Sequence, residues 1–278
     1  MPAQDFAARE AIVPVRPSMG GGLRRAMQAP ATYALLAINV LVYLWMLHAG
    51  VDKLSPSPDD LMRFGANNAE AVTMYGEWWR IVTAMFVHVG LVHLASNMWC
   101  LWNLGVIGEP LLGFFGMCSV YLLSGAAGNL LSVAWNSVRH QYGEVGAGAS
   151  GAVFGIAGIL IVLFSNKRLA EPRNGFRGIP LVELNAIRRS VVSFAVLNLL
   201  IGAGTMIGPL MHGIHLDGLH IDNNAHLGGF VMGLAVGVPL VPRMTSGRKL
   251  YLQRQKLTFA CAALALALFG YFVARISI

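Results

Sequence analysis

The stretch Glu144-Val-Gly-Ala-Gly-Ala-Ser-Gly-Ala-Val-Phe-Gly-Ile-Ala-Gly158 places one serine, Ser150, between small residues and directly before an apolar run. The first backbone N–H groups of a helix have no partner within that helix, so they can hold a developing oxyanion beside such a serine. The flanking glycines let a neighbouring backbone approach closely. Glycine and serine are also ordinary packing residues between membrane helices, so this stretch alone leaves both catalysis and packing open.

The composition indicates a membrane protein with several spans. Hydrophobic residues make up 56% of the chain and charged residues 12%, and the mean hydropathy is +0.60. A soluble domain carries about 25% charged residues. A bilayer crossing needs about 20 apolar residues, and the runs near that length are roughly 31–49, 93–109, 111–135, 149–165, 190–208, 224–242 and 257–275. We therefore predict an all-α polytopic membrane protein, in which the first thirty residues contain no apolar signal-peptide core.

The basic residues indicate the orientation in the membrane. Fifteen of the twenty lysines and arginines lie before the first run, between the fourth and fifth runs, or before the seventh. By the positive-inside rule these segments are cytoplasmic, which puts the N-terminus in the cytoplasm and, after seven spans, the C-terminus outside. Because topology explains the basic loops, we predict no nucleic-acid binding. All three cysteines lie in apolar runs, which favours packing over disulfides.

Two polar side chains share one face of the second run. His93 and Asn97 are four residues apart, a spacing that places them side by side on a helix. Polar groups within a membrane are costly unless they find partners or line a wet cavity. The pair is therefore either an interhelical hydrogen bond that stabilises the bundle or part of a functional site.

The sixth run begins with a smooth helical face. His226, Gly229 and Gly233 are spaced at i, i+3 and i+7, which lines them up on one side of a helix. We expect this face to pack against the small residues of the fourth run, Gly148, Gly151 and Gly155.

The polar residues of three runs share a predicted depth. In this topology the second, fourth and sixth runs all lead inward, and His93, Asn97, Ser150 and His226 each lie within the first two turns of their run. The fifteen residues from Ser150 to Phe164 span about 22 Å, against about 30 Å of hydrocarbon. Ser150 is therefore expected below the outer surface, with room for water above it.

Two segments outside the runs have distinct compositions. Residues 50–92 become amphipathic around Trp79 and Arg80, side chains that favour the headgroup level, so we expect this segment to lie along the membrane surface. The loop 209–222 contains three histidines and two aspartates, but their spacing matches no recognised ligand set. We predict a polar gate loop there and no metal site.

Together the motifs resemble the rhomboid family of intramembrane serine proteases. The matching elements, in order, are Trp79-Arg80, His93 with Asn97, Gly148-Ala-Ser-Gly151, and Ala225-His-Leu-Gly-Gly-Phe-Val-Met-Gly233. Each is weak alone, but the ordered set is specific. The resemblance implies a six-helix rhomboid core plus a seventh transmembrane helix (6+1). The corresponding segments are a basic cytoplasmic tail at 1–30, the core at 31–242, a basic loop at 243–256 and the seventh helix at 257–278.

The resemblance also implies roles for the motif residues. Ser150 would be the nucleophile, and His226 its general base and then the acid for the leaving amine. The oxyanion would be held by His93, Asn97 and the Ser150 backbone N–H, with Gly148 beside them. The supporting residues would be Trp79, Arg80, Gly151, Phe154, Gly229 and Gly233.

Two of these points keep alternatives. Phe154 would lie beneath the catalytic histidine, or it is a plain packing residue. The family works as a Ser–His dyad, and no carboxylate lies inside the relevant runs; Asp222, four residues before His226, is the alternative orienting group.

The implied activity is cleavage of single-pass transmembrane substrates within the lipid bilayer, without cofactor or metal, in the bacterial inner (plasma) membrane. A substrate helix must unwind first, because helical backbone hides each carbonyl in its own hydrogen bond. The fifth run and the loop 209–222 would form the entry gate.

Two competing functions stay open. A non-catalytic relative would bind membrane helices without cutting them, but such relatives lose the serine, the histidine or the glycine before the serine. A transporter or channel would need polar residues along a path through the whole bilayer, whereas the polar set here stops near one face.

Overall fold

The computed structural model describes residues 29–171, 179–207, 222–243 and 247–276, and within these ranges the chain is mostly helical. The helices are α1 Pro30–His48, α2 Pro58–Arg63, α3 Ala69–Thr73, α4 Arg80–Thr83, α5 Leu91–Val138, α6 Ser150–Leu163, α7 Leu181–Ile207, α8 Asn223–Gly237 and α9 Arg248–Ile276. Short 3-10 turns lie at Ala84–Phe86, Lys167–Ala170 and Val241–Arg243, and two short strands are β1 Asn67–Asn68 and β2 Val145–Gly146.

The helix bounds follow the predicted apolar runs closely at α1, α5 and α6 but differ at α7, α8 and α9; α9 begins at Arg248, nine residues before the predicted 257. Helix α7 begins at Leu181, nine residues before the predicted run, because charged residues such as Arg188 end a hydropathy run without breaking a helix. Helix α8 ends at Gly237, earlier than the predicted 242. Pro239 follows that end, and proline lacks the N–H that would continue a helix.

Helix α5 contains the second and third apolar runs and reverses direction within its length. The second predicted run ends at Glu109, directly before Pro110. In the structure the helix continues through Pro110 and breaks at Gly113, whose φ of 74° and ψ of 171° are non-helical. Glycine tolerates this positive φ because it has no Cβ. We call residues 91–112 the first limb of α5 and residues 114–138 the second limb.

Close contacts give the directions of the limbs. Gly105 of the first limb lies against Thr32 near the start of α1, whereas Leu91 donates its N–H to the carbonyl of Lys53 beyond the end of α1. The first limb is therefore antiparallel to α1. Tyr121 of the second limb donates its hydroxyl to the carbonyl of Met85, and so the second limb returns toward the segment that precedes α5.

Helix α6 is the centre of the bundle. Every residue from Gly151 to Leu160 is buried, and all of them are apolar or glycine. The second limb of α5 passes it antiparallel, with Ser124 against Gly155. Helix α8 passes it in parallel, with Gly229 against Gly151. An all-apolar helix with no polar face is expected in the interior of such a bundle.

Membrane-spanning character is clear for part of the described chain. Three helices are both long and apolar enough to cross a bilayer, namely α1, α5 and residues 248–275 of α9, and Ser150–Leu163 is an apolar but shorter helix. Large apolar side chains on these helices face outward, including Leu41, Trp45 and Leu268. The protein is therefore an all-α polytopic membrane protein, while the six-plus-one count stays a prediction.

The segment between α1 and α5 is folded onto the loop that leads to Ser150. Strand β1 pairs antiparallel with β2, with Asn67 opposite Gly146 and Asn68 opposite Val145. The Asn68 side chain donates to the carbonyls of Tyr142 and Glu144. This pairing was not predicted from the sequence, because two-residue strands produce no alternating pattern.

Candidate active site

Ser150 begins the central helix α6. Ala149 occupies the N-cap position and has no side chain that could bond the first helical N–H groups. These groups have no intrahelical partner, so they remain available to a ligand or a substrate oxygen. Ser150 itself is half-buried. The serine therefore lies at a partly accessible helix N-terminus inside the bundle.

The two glycine faces predicted to pair do meet, with one exception. A Cβ on Gly229 would overlap the carbonyl oxygen of Gly151, and a Cβ on Gly233 would overlap that of Gly155. Helices α6 and α8 are thus in backbone-to-backbone contact. Gly148 does not join this stripe, because it precedes α6 and lies against His93 instead.

His226 lies at the N-terminal turns of α6. Its ring stacks on Phe154, with the ring centroids 4.4 Å apart and the planes 20° apart. The preceding carbonyl, of Ala225, would be 3.0 Å from a Cβ on Gly151. The imidazole is 8% exposed. Phe154 is one turn after Ser150, so the stacking places the imidazole beside the start of the serine helix.

Asp222 does not orient the His226 ring. Its carboxylate accepts the N–H of Ala225, which caps α8, and the hydroxyl of Ser132 on the second limb of α5. Burial raises the pKa of the Asp222 carboxyl, and the Ser132 hydroxyl opposes that shift. Among the described residues, the buried Nδ1 of His226 has no hydrogen-bond partner. Within the described residues, the alternative that Asp222 orients the His226 ring is therefore wrong.

His93 and Asn97 lie on the first limb of α5, beside the loop before Ser150. A Cβ on Gly148 would be 2.6 Å from Cε1 of His93, so the ring lies directly on that glycine backbone. Gly148 has a φ of 134°, a value that side-chain-bearing residues rarely adopt. Asn97 is buried, and its amide donates to the carbonyl of His93 at 3.0 Å. One amide hydrogen of Asn97 is thereby used within its own helix, which leaves the second.

His88 is a site neighbour that the sequence interpretation missed. It is fully buried, its ring is 5.4 Å from that of His93, and its Nε2 accepts the N–H of Ala149 at 3.4 Å. Burial lowers the pKa of the His88 imidazole to about 3. The available signal was a second histidine five residues before His93, in the apolar stretch Phe86-Val-His-Val-Gly90.

Arg80 is bonded within the segment between α1 and α5, and Trp79 packs on it. The Arg80 guanidinium donates to the carbonyls of Met62 and Ala66 and forms an ion pair with Glu77. Trp79 is half exposed and stacks on the guanidinium at 4.4 Å. Arg80 is therefore held by carbonyls that have no helical partner, while the location of residues 50–92 along the membrane surface stays a prediction.

The predicted gate loop and its histidines lie at 209–221, outside the described residues, and of that loop only Asp222 is described. Within the described residues, no group of three or more histidine, cysteine, aspartate or glutamate side chains could hold a metal ion.

Comparison with known proteins shows extended similarity. A family model described as Rhomboid domain matches residues 75–243. The chain is 29% identical over 210 residues to the rhomboid protease GluP of Bacillus subtilis, a match that covers 75% of this chain and 35% of GluP. It is 27% identical over 220 residues to the rhomboid protease AarA of Providencia stuartii, with 76% and 72% covered.

A third relative, the RHOMBOID-like protein 1 of Arabidopsis thaliana, is 31% identical over 195 residues, with 70% of this chain and 42% of the relative covered. The matched region thus spans about a third of GluP and less than half of the plant protein. Because the family match covers more than half of this sequence and includes all four motifs, the chain belongs to the rhomboid family of intramembrane proteases.

Proposed function

We propose that this protein is a serine endopeptidase that cleaves transmembrane proteins within the bilayer, with Ser150 as nucleophile and His226 as general base. The observation that carries this proposal is the stacking of His226 on Phe154 at the start of the Ser150 helix. A second observation favours a dyad: among the residues that the structure describes, the Asp222 carboxylate near His226 is occupied by a helix cap and by Ser132.

The reaction follows from these positions. The Ser150 Oγ attacks the carbonyl carbon of the scissile peptide bond while its proton passes to the unprotonated imidazole nitrogen of His226. The tetrahedral oxyanion accepts hydrogen bonds from the Ser150 backbone N–H, from His93 and from the second amide hydrogen of Asn97. Collapse breaks the C–N bond, and His226 gives its proton to the leaving amine.

Hydrolysis of the acyl-enzyme repeats these steps with water. His226 removes a proton from the attacking water, the second oxyanion occupies the same donors, and the carboxylic acid leaves as the Ser150 hydroxyl regains its proton. Water must therefore reach the start of α6. The helix has 14 residues and is about 21 Å long. It is thus shorter than the about 30 Å hydrocarbon core, which leaves a depression above Ser150.

The substrate class we propose is single-pass transmembrane proteins, cut at an unwound site. A peptide bond in an intact helix cannot present its carbonyl to Ser150, because that carbonyl is already hydrogen-bonded. The proposed topology has six core spans plus a seventh, with the N-terminus cytoplasmic and the C-terminus outside. We propose residues 1–30 as a cytoplasmic tail, 31–242 as the protease core, 243–256 as a basic loop and 257–278 as the seventh span.

The experiment is a cleavage assay in liposomes that contain the purified protein and a single-pass reporter. Ser150→Ala and His226→Ala should each abolish cleavage, because each removes one half of the dyad. A fluorophosphonate probe should label the wild type at Ser150 and leave Ser150→Ala unlabelled.

Ser165→Ala is the matched control. Ser165 lies just beyond the other end of α6, where its hydroxyl is bonded to the carbonyl of Ile161, so cleavage should be unchanged. Equal melting temperatures would show that the inactive variants fold. Cleavage that persists in Ser150→Ala would refute the proposal and favour a non-catalytic membrane-helix binder.

A further inference from the structure

We infer that His88 is a positioning residue for the oxyanion site: by accepting the Ala149 N–H, it holds the peptide that leads into Ser150 so that the next N–H group faces the substrate. This inference rests on the proposed function of Ser150. None of the family motifs in the sequence includes His88, and the reaction described above does not use it.

The hydrogen bonds of His88 determine its tautomer. The Ala149 N–H can only donate, so Nε2 of His88, 3.4 Å from the Ala149 nitrogen, must be unprotonated. The proton is then on Nδ1, which is 3.3 Å from the carbonyl oxygen of Phe86 and can donate to it. The side chain is fully buried, and that burial keeps the ring neutral, since it lowers the pKa to about 3. The acceptor nitrogen is therefore present throughout the neutral pH range.

A second bond from the same segment fixes the neighbouring peptide. The Gly148 N–H donates to the carbonyl of Ala84 at 2.9 Å. Two consecutive amides of the loop, at Gly148 and Ala149, are thus bound to residues 84–88. Each peptide unit is planar, so only the two dihedrals of Ala149 (φ −74°, ψ −4°) separate the unit held by His88 from the next unit, whose carbonyl accepts the Val153 N–H at 3.0 Å. The next amide is that of Ser150.

His88 also contacts the other oxyanion donor. Its ring meets the ring of His93 edge-on, with the centroids 5.4 Å apart, and His93 in turn lies on the backbone of Gly148. A single buried imidazole therefore touches both sides of the oxyanion site, the loop amide and the His93 side chain. A group placed only for packing would not need an acceptor nitrogen aimed at the Ala149 amide, and this difference can be tested.

The test compares two substitutions at His88. Phenylalanine retains a ring of similar size but has no acceptor, whereas the side-chain oxygen of glutamine can accept the Ala149 N–H. We expect His88→Phe to lower kcat by about ten- to a hundredfold with little change in KM, as displacement of a catalytic group does. His88→Gln should recover most of kcat. The rate of fluorophosphonate labelling at Ser150 should fall and recover in parallel.

Hydrogen exchange provides a readout independent of activity. The Ala149 amide should exchange faster in His88→Phe than in the wild type and return toward the wild-type rate in His88→Gln. If His88→Phe loses its melting transition, His88→Asn replaces it, because asparagine is too short to reach Ala149. Glu109→Gln is the control for a loss of stability alone. Glu109 accepts the N–H groups of Ala31 and Thr32 at the opposite end of the first limb, so its substitution should leave exchange of the Ala149 amide unchanged.

The outcomes separate this inference from the proposed function. Wild-type kcat in His88→Phe, or equal loss in the phenylalanine and glutamine variants at equal melting temperature, would overturn the role of His88 while Ser150 remains the nucleophile. Absence of labelling at Ser150 in the wild type would instead overturn the proposed function.

Discussion

At the scale of single residues, the site depends on positions where no side chain fits. Gly229 and Gly151 bring the backbones of α8 and α6 together, and Gly148 brings the loop backbone onto the His93 ring. These contacts determine how far His226 on α8 lies from Ser150 on α6. The same small residues that make an isolated sequence motif weak are therefore the ones that set the geometry of the site.

We expect Gly229→Ala to destabilise the protein and to abolish cleavage. The added Cβ would overlap the carbonyl of Gly151, so the two helices must separate, at a cost of about 1–3 kcal/mol or more. Thermal unfolding in detergent and the liposome assay would measure both effects. Gly270→Ala on α9 is the matched control, because its Cβ would meet Trp78 at an ordinary 3.5 Å. A Gly229→Ala variant with wild-type stability would contradict the close approach.

At the scale of elements, helix α9 is bound to the reversal in α5. The buried side chain of Gln255 donates to the carbonyl of Leu112 at 3.0 Å, directly before the break at Gly113. Gly116 lies against the same glutamine. The sequence predicted the seventh run only as a transmembrane helix added to the six-helix core. The structure adds a polar contact that lies before that run and connects α9 to the point where the chain turns.

We predict that Gln255→Leu lowers the free energy of unfolding by about 1–3 kcal/mol, since it removes a donor from a buried carbonyl. Thermal or denaturant unfolding in detergent micelles would measure the change. Gln253→Leu is the control, because Gln253 is exposed on the same helix and should tolerate the substitution. Equal stability of the two variants would show that α9 contributes no polar anchor to α5.

At the scale of the whole molecule, the helix directions separate the basic residues. Lys167 and Arg168 follow α6 at the end of the bundle where Glu109 bonds α1. At that same end α9 begins with Arg248 and Lys249, two turns before Gln255 bonds Leu112. Arg139 follows the second limb of α5 at the opposite end. This arrangement supports the cytoplasmic assignment of the segments rich in lysine and arginine.

Cysteine labelling tests this topology. In a variant with Cys100, Cys118 and Cys261 replaced by alanine, the exposed positions Arg139 and Lys167 are changed to cysteine one at a time. An impermeant maleimide should label Arg139→Cys in right-side-out vesicles and Lys167→Cys only in inverted vesicles. The reverse pattern would place the Ser150 end of α6 on the cytoplasmic side, and labelling of both from one side would contradict the helix directions.

The amino-acid sequence alone was enough for the family, for the all-α membrane class and for the locations of the long apolar helices. Hydropathy runs identify membrane helices because exposing polar backbone and side chains to lipid is costly. Each spanning segment must avoid this cost through its own hydrogen bonds and its own apolar side chains, whatever the rest of the fold is. It also named Ser150 and His226, because their neighbours form motifs within a few residues.

Only the tertiary structure decided which neighbours complete the site. The pairing of β1 with β2, the bond from Ala149 to His88 and the reversal at Gly113 join residues that are distant in the chain or that carry no periodic pattern. Asp222 has partners other than the one its position suggested, because the nearest unpaired donor or acceptor in the folded chain determines where a buried polar group bonds.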